Sequence, residues 1–309
     1  MAWNAAAALT ARTQLAYNHQ PLAASDPASE LPRVRVACAQ IGPVLGDLGG
    51  NRTRAAAAID EAAAQGAHLV VLPELCTSGY AFADAQEARS CAEPIDGPSV
   101  RQWCERAAAH GMVIVAGLCE RDEHDALRNS AVVVDPSGVR AVYRKTHLWD
   151  REAEIFVRGE EPAPVVSTAI GRIGIAICYD AAFPEHMRRL ALAGADIVAV
   201  PMNSPAAERP TTPVAIEIAI AMAAANANRI HIVQADRTLT ERGIRWAQAS
   251  VIVDPDGSVV AGPEGGPAIL VAAIVPTDAR DKRWGERNDV LADRRPDLYT
   301  PPPTPTEES

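Results

Sequence analysis

The chain has 309 residues, 48% hydrophobic and 22% charged, the balance of an ordinary globular protein and enough for one large α/β domain or two small ones. A formal net charge of -10 with no basic stripe argues against non-specific nucleic-acid binding, and no apolar run approaches the length of a membrane span. The six cysteines (Cys38, Cys76, Cys91, Cys104, Cys119 and Cys178) form neither a C-x-x-C pair nor a His/Cys cluster with zinc spacing. Five of them read as structural free thiols, which predicts a reducing, cytoplasmic setting.

Residues 1–31 are Ala, Ser, Pro and polar residues without clean periodicity, and predict a flexible arm. They lack a basic segment followed by a long apolar core, so no signal peptide is expected. From 32 to 299, short apolar runs alternate with Ala-rich stretches and no linker intervenes, which reads as one domain. Strands are predicted at 34–39, 68–72, 112–117, 130–135, 139–144, 172–178, 197–201, 230–235, 250–254, 258–261 and 268–274. Helices are predicted at 51–65, 99–110, 184–193 and 212–228, with Asn51 and Ser99 as N-caps. Asp135-Pro136-Ser137-Gly138 and Asp254-Pro255-Asp256-Gly257 are hairpin turns, and their likeness hints at an internal duplication. Strands joined by hairpins point to mixed sheets, and the order of elements to two sheets inside and helices outside. The Pro-rich residues 300–309 suit neither helix nor sheet and predict a disordered tail.

Three strand ends carry chemistry. The run Leu69-Val70-Val71-Leu72-Pro73 ends at Glu74, where open α/β sheets place their ligands; the plain alternative is a solvated loop carboxylate. Val142-Tyr143-Arg144 ends at Lys145, which also admits reading as a surface cation. Gly171-Arg172-Ile173-Gly174-Ile175-Ala176-Ile177 runs into Cys178, ahead of a helix start at Pro184. Helix N-terminal amides there would lower the thiol pKa, whereas the alternative is a buried, inert cysteine. Taken together, a carboxylate to accept the thiol proton, a thiolate nucleophile and an ammonium to stabilise an oxyanion make a workable acyl-transfer site.

These three segments, in this order, resemble the nitrilase superfamily of carbon–nitrogen hydrolases, as do Ala39-Gln40, Tyr143-Arg144-Lys145-Thr146-His147-Leu148, Cys178-Tyr179-Asp180 through Phe183-Pro184-Glu185, Gly194-Ala195-Asp196, Asn228, and Ser250-Val251-Ile252-Val253-Asp254-Pro255-Asp256-Gly257. The resemblance spans about residues 34–299. It implies a four-layer α-β-β-α sandwich, with Glu74 as general base, Lys145 as oxyanion stabiliser and Cys178 as nucleophile. A second Glu in the loop after the lysine is a family feature; Glu152 has the better spacing to Gly159, and Glu154 is the fallback. The Tyr179 backbone amide resembles the family's second oxyanion donor. Tyr80, Trp149 and Asn203 are candidate substrate contacts, though each aromatic reads equally as core. His147 reads as shaping its loop, and Asp180 as capping the Cys178 turn.

Nitrilases follow the nucleophile with Trp-Glu; Tyr179-Asp180 is similar to amidase-like and carbamoylase-like branches. The expected substrate is therefore a small amide or ureide, with a nitrilase, an acyltransferase or a non-catalytic binding protein as alternatives. Glu208 and Arg209 face either a charged substrate group or solvent. No Gly-rich phosphate loop or metal-ligand cluster is visible, so no cofactor is expected. The resemblance further implies a homodimer or a higher homo-oligomer, paired through helices beside the site and through residues 280–299.

Overall fold

Period-two alternation sorts the side chains of the first four strands into two cores. In β1 (Val34–Gln40), Val36 and Cys38 point one way and Ala37 and Ala39 the other. Strands β2 (Leu69–Val71), β3 (Val113–Arg121) and β4 (Leu127–Asp135) repeat the pattern: Leu69, Val71, Val113, Val115 and Val133 share the first core, and Val70, Ile114, Val132 and Val134 the second. Both faces of this sheet are thus apolar, which demands a layer on each side.

The computed structural model describes residues 32–206 and 214–299. The predicted arm (1–31), the predicted tail (300–309), and Glu208 and Arg209 lie outside the described residues. The second core is covered by α1 (Leu48–Ala64) and α3 (Pro98–His110) through Ala55, Ile59, Trp103 and Ala107. The first core is closed by another sheet, made of β6 (Val165–Thr168), β7 (Gly171–Ile175), β8 (Ile197–Pro201), β9 (His231–Ala235), β10 (Val251–Val253) and β11 (Val259–Ala261). Helices α5 (Pro184–Leu192) and α6 (Ile216–Asn228) lie against this second sheet through Met187, Leu190, Ile218, Ala221 and Ala225. The result is the four-layer α-β-β-α sandwich expected.

With β5 (Gly138–Arg144) and β12 (Ala268–Ile274), the first sheet has the order β12-β1-β2-β3-β4-β5, and the second β11-β10-β9-β8-β7-β6. Each has three parallel strands at its centre (β1, β2, β3 and β7, β8, β9) flanked by antiparallel neighbours. The two Asp-Pro-x-Gly turns join β4 to β5 and β10 to β11. Among the described residues no helix is long and apolar enough to cross a membrane.

Several local expectations need correction. Asp47, not Asn51, caps α1: its Oδ1 accepts Gly50 N–H at 3.0 Å. Asn51 is buried inside the helix, where its amide donates to Val44 O and Thr77 O and accepts from Val44 N–H. Ser99 likewise sits inside α3, which starts with Pro98 after Gly97. Two short helices, α2 (Ala85–Cys91) and α4 (Glu152–Ile155), lie where no element is predicted, as do β6 and α7 (Pro296–Tyr299). For α2 the signal was present: Asp84 accepts from Gln86 N–H and Glu87 N–H, and Glu87 returns to Ala83 N–H, an N-terminal capping pattern readable as Asp-x-x-Glu.

Candidate active site

The carrier of Glu74 is the turn that follows β2. Strand β3 passes so close beneath it that a Cβ on Gly117 would lie 2.5 Å from Glu74 Cα, so glycine alone fits there. Lys145 is the first residue after β5, tied to β4 by its N–H to Asn129 O at 2.8 Å and to the loop after α4 by Gly159 N–H, which donates to its carbonyl at 2.8 Å. Strand β7 stops at Ile175, three residues short of Cys178, contrary to the continuous strand expected. Cys178 instead opens a 3-10 turn, Cys178–Ala182, with φ at +46°, a conformation that turns the side chain out of the strand direction.

Asp180 braces that turn against the Lys145 loop. Its Oδ2 accepts Ile177 N–H at 3.0 Å and the Tyr143 hydroxyl at 2.9 Å. Its Oδ1 accepts His147 N–H at 3.1 Å and meets His147 Nδ1 at 2.7 Å and Thr146 Oγ1 at 3.2 Å. The His147 ring also stacks on Phe183 at 3.9 Å, so its contacts are those of a loop-shaping residue. Among the described residues, the ligand atoms of His147, Asp180 and His186 gather within 4.8 Å, a grouping that sequence spacing did not reveal, but the Asp180 oxygens are already occupied by these bonds.

At the centre is one buried ammonium between two buried carboxylates. Lys145 Nζ donates to Glu74 Oε1 at 2.7 Å and to Glu152 Oε1 at 2.9 Å. Burial opposes the charge on Lys145, but Glu74 and Glu152 outweigh it and hold its pKa well above the ordinary value. Glu152, the first residue of α4, also accepts Tyr80 O–H at 2.6 Å on Oε1 and Trp149 N–H at 3.1 Å on Oε2. Glu154 is exposed and pairs with Arg151, so Glu152 alone of the two reaches the lysine.

Glu74 is differently placed. Oε1 takes both Lys145 and Asn129 Nδ2 (2.7 Å), while the buried Oε2 has no hydrogen-bond partner among the described residues. Burial pushes its pKa up to about 7, with Lys145 opposing and Glu152 adding to the rise. Asn129 was missed at the sequence level; a lone Asn at the start of an apolar strand was the available signal.

Cys178 lies close enough to Glu74, Lys145 and Glu152 for their charges to act on it. Its thiol is pushed well above the ordinary value, first by burial and then by Glu74, with Lys145 opposing. This reverses the lowered pKa expected from a helix N-terminus: burial dominates, and α5 begins only at Pro184. The Sγ approaches Asn203 O at 3.7 Å, and Asn203 Nδ2 donates to Glu74 O at 2.7 Å, so Asn203 joins the two segments. A cavity of about 140 Å³ opens beside Cys178, lined by Trp149, Tyr179, Met202, Asn203, Pro205 and Ile220 among others. Trp149 and Tyr179 meet edge to face at 4.9 Å on its wall. Tyr80 lies on a neighbouring cavity that shares Trp149 and Pro205, with its hydroxyl committed to Glu152.

A family model described as carbon–nitrogen hydrolase matches residues 35–283. A protein from Pyrococcus abyssi named as a nitrilase is 38% identical over 86% of this chain and 99% of its own length. A protein from Pseudomonas sp. named as an (R)-stereoselective amidase is 31% identical over 85% of this chain and 92% of its own. Among solved structures, a mutant amidase from Nesterenkonia sp. AN1, with the acetamide moiety of fluoroacetamide covalently added at the active site cysteine, superposes with a TM-score of 0.71 at 26% identity, over 86% of this chain and 95% of that one.

Proposed function

Given that the chain belongs to the carbon–nitrogen hydrolase family and acts on non-peptide C–N bonds, we propose that it hydrolyses a small amide or N-carbamoyl compound through a thioester on Cys178, with release of ammonia. The observation that carries this reading is the asymmetry around Lys145: one carboxylate fully engaged, the other with a spare buried oxygen and a pKa near 7. A carboxylate poised near neutrality suits proton transfer in both directions.

In the proposed cycle the thiol is protonated at rest, so a base is required. Glu74 takes the proton as Sγ bonds to the carbonyl carbon. Lys145 and the Tyr179 backbone N–H stabilise the oxyanion. The C–N bond then breaks while Glu74 returns the proton to the departing nitrogen. Water, deprotonated by Glu74, attacks the thioester, and the acid leaves with the thiol restored. Glu152 keeps the ammonium in place and offsets its charge. Trp149, Tyr179 and Asn203 border the substrate, and the small cavity beside Cys178 favours a compact acyl group.

A second reading, hydrolysis of a small nitrile, is favoured by the relative from Pyrococcus abyssi. Ammonia release from a panel of amides, N-carbamoyl compounds and nitriles, run beside Cys178→Ala, separates the two. Cys-dependent turnover of amides or ureides is expected; turnover of nitriles alone would overturn the reading. If only added hydroxylamine or amines yielded product, the protein would be an acyltransferase.

The proposal includes a cytoplasmic homodimer without a cofactor, paired through α5, α6 and residues 280–299. All six cysteines are free, and Leu192, Leu298 and Tyr299 expose large apolar side chains. A monomeric mass by light scattering would remove the dimer.

A further inference from the structure

The segment that carries Tyr80 is held from a distant part of the chain. Glu241, 161 residues away, accepts the backbone N–H of Tyr80 at 2.9 Å and that of Ala81 at 2.7 Å on one oxygen. Its other oxygen accepts Arg237 Nη2 at 2.9 Å. Arg237 is fully buried, donates to Pro43 O at 2.6 Å, and sets its guanidinium 4.4 Å from the centre of the Trp246 ring. Trp246 meets the Tyr80 ring edge-on at 5.6 Å. The fit is tight: Gly79 has φ +84, and a Cβ there would come within 2.7 Å of Glu241 Oε2 and 2.6 Å of Leu45 Cα. Both the backbone and the ring of Tyr80 are thereby fixed, and its hydroxyl is left on Glu152, which holds Lys145.

Nothing about stability asks for this pair. A buried ion pair is costly to desolvate, and Arg237 Nε and Nη1 find no acceptor among the described residues. Neither Glu241 nor Arg237 lines the cavities beside Cys178 and Tyr80, so substrate contact does not account for them. What the pair does is set the position of one loop to the precision of a hydrogen bond, which is what an oxyanion donor needs from its surroundings.

We infer that Glu241, held by Arg237, is a positioning residue for Lys145: it fixes the Tyr80 segment, Tyr80 orients Glu152, and Glu152 orients the ammonium. The inference rests on the reading of Lys145 as the oxyanion partner. Glu241→Gln puts an amide where the guanidinium expects a carboxylate, and Tyr80→Phe cuts the same path one step later while keeping the ring on Trp246. On the amide that wild type cleaves best, each variant is expected to lower kcat by about threefold to tenfold, no more than a change at Glu152 itself, with KM within about twofold. Because both act through one path, the double variant is expected to lose no more than the worse single one. Alkylation of Cys178 by iodoacetamide develops no oxyanion and depends on Lys145 only through the thiolate it favours, so it is expected to slow by much less than kcat in all three. Additive losses, a rise in KM at constant kcat, alkylation slowing in step with kcat, or wild-type kcat throughout would each overturn the brace while the hydrolase reading stands. Amide turnover that survives in Cys178→Ala would instead overturn that reading.

Discussion

Glu74 and Glu152 hold the same ammonium at nearly the same distance, yet their surroundings differ in kind. On the Glu152 side every oxygen is engaged, by Tyr80, Lys145 and the Trp149 backbone. On the Glu74 side one oxygen is engaged twice and the other is buried without a partner among the described residues. A carboxylate with all its acceptors filled is held in place. One left with an unfilled, desolvated oxygen has a place for a proton and a reason to take it. The proposed division of two identical side chains into a proton carrier and an anchor rests on this difference in burial and hydrogen-bond supply, since the lysine is shared.

The comparison can be broken experimentally. The largest effect is expected from Cys178→Ala, which leaves both carboxylates without a nucleophile to serve; turnover should vanish while the far-ultraviolet circular dichroism is unchanged. Next come Glu74→Gln and Lys145→Ala, each expected to lower kcat by about a hundredfold or more, as loss of an acid–base or oxyanion group does. Lys145→Ala also strands two buried carboxylates and is expected to destabilise the fold by about 3–5 kcal/mol, read from denaturant midpoints. Glu152→Gln should cost less, about tenfold in kcat, because an amide can still orient the lysine from one oxygen. If Glu152→Gln proved the more damaging of the two carboxamides, the assignment of carrier and anchor would have to be exchanged.

The smallest effect sharpens the comparison further. The proposed cycle needs the base form of Glu74, whose pKa is raised to about 7, so kcat/KM is expected to rise with pH through an acid limb near 7. The negative charge of Glu152 contributes to that rise. Removing it in Glu152→Gln should lower the Glu74 pKa and move the limb to more acid pH. A limb that stays in place, or moves upward, would show that the two carboxylates do not share a field.

Much of the architecture was readable from local pattern. Strands β8 and β12 were bounded to the residue, since both are apolar runs closed by Pro or Gly-rich turns. The two Asp-Pro-x-Gly hairpins and the strand-end positions of Glu74 and Lys145 follow from turn chemistry and period-two burial, which act over a few residues. The left-handed backbone of Cys178 was not readable, because a non-glycine residue adopts it only when surrounding contacts impose it, here those of Asp180. Glu152 and Glu154 differ by two places in one loop, and only packing decides that the first is buried on Lys145 while the second faces solvent.

The sequence by itself determined the layers, the hairpins and the kinds of side chain set at the strand ends, because periodicity and turn preference are properties of short stretches. Tertiary structure alone decided which of those side chains meet. Asn129 reaches Glu74 across 55 residues, Asn203 across 129, and Glu241 reaches Tyr80 across 161. No local preference encodes such pairings; they exist only once two sheets have packed and brought their loops to one end.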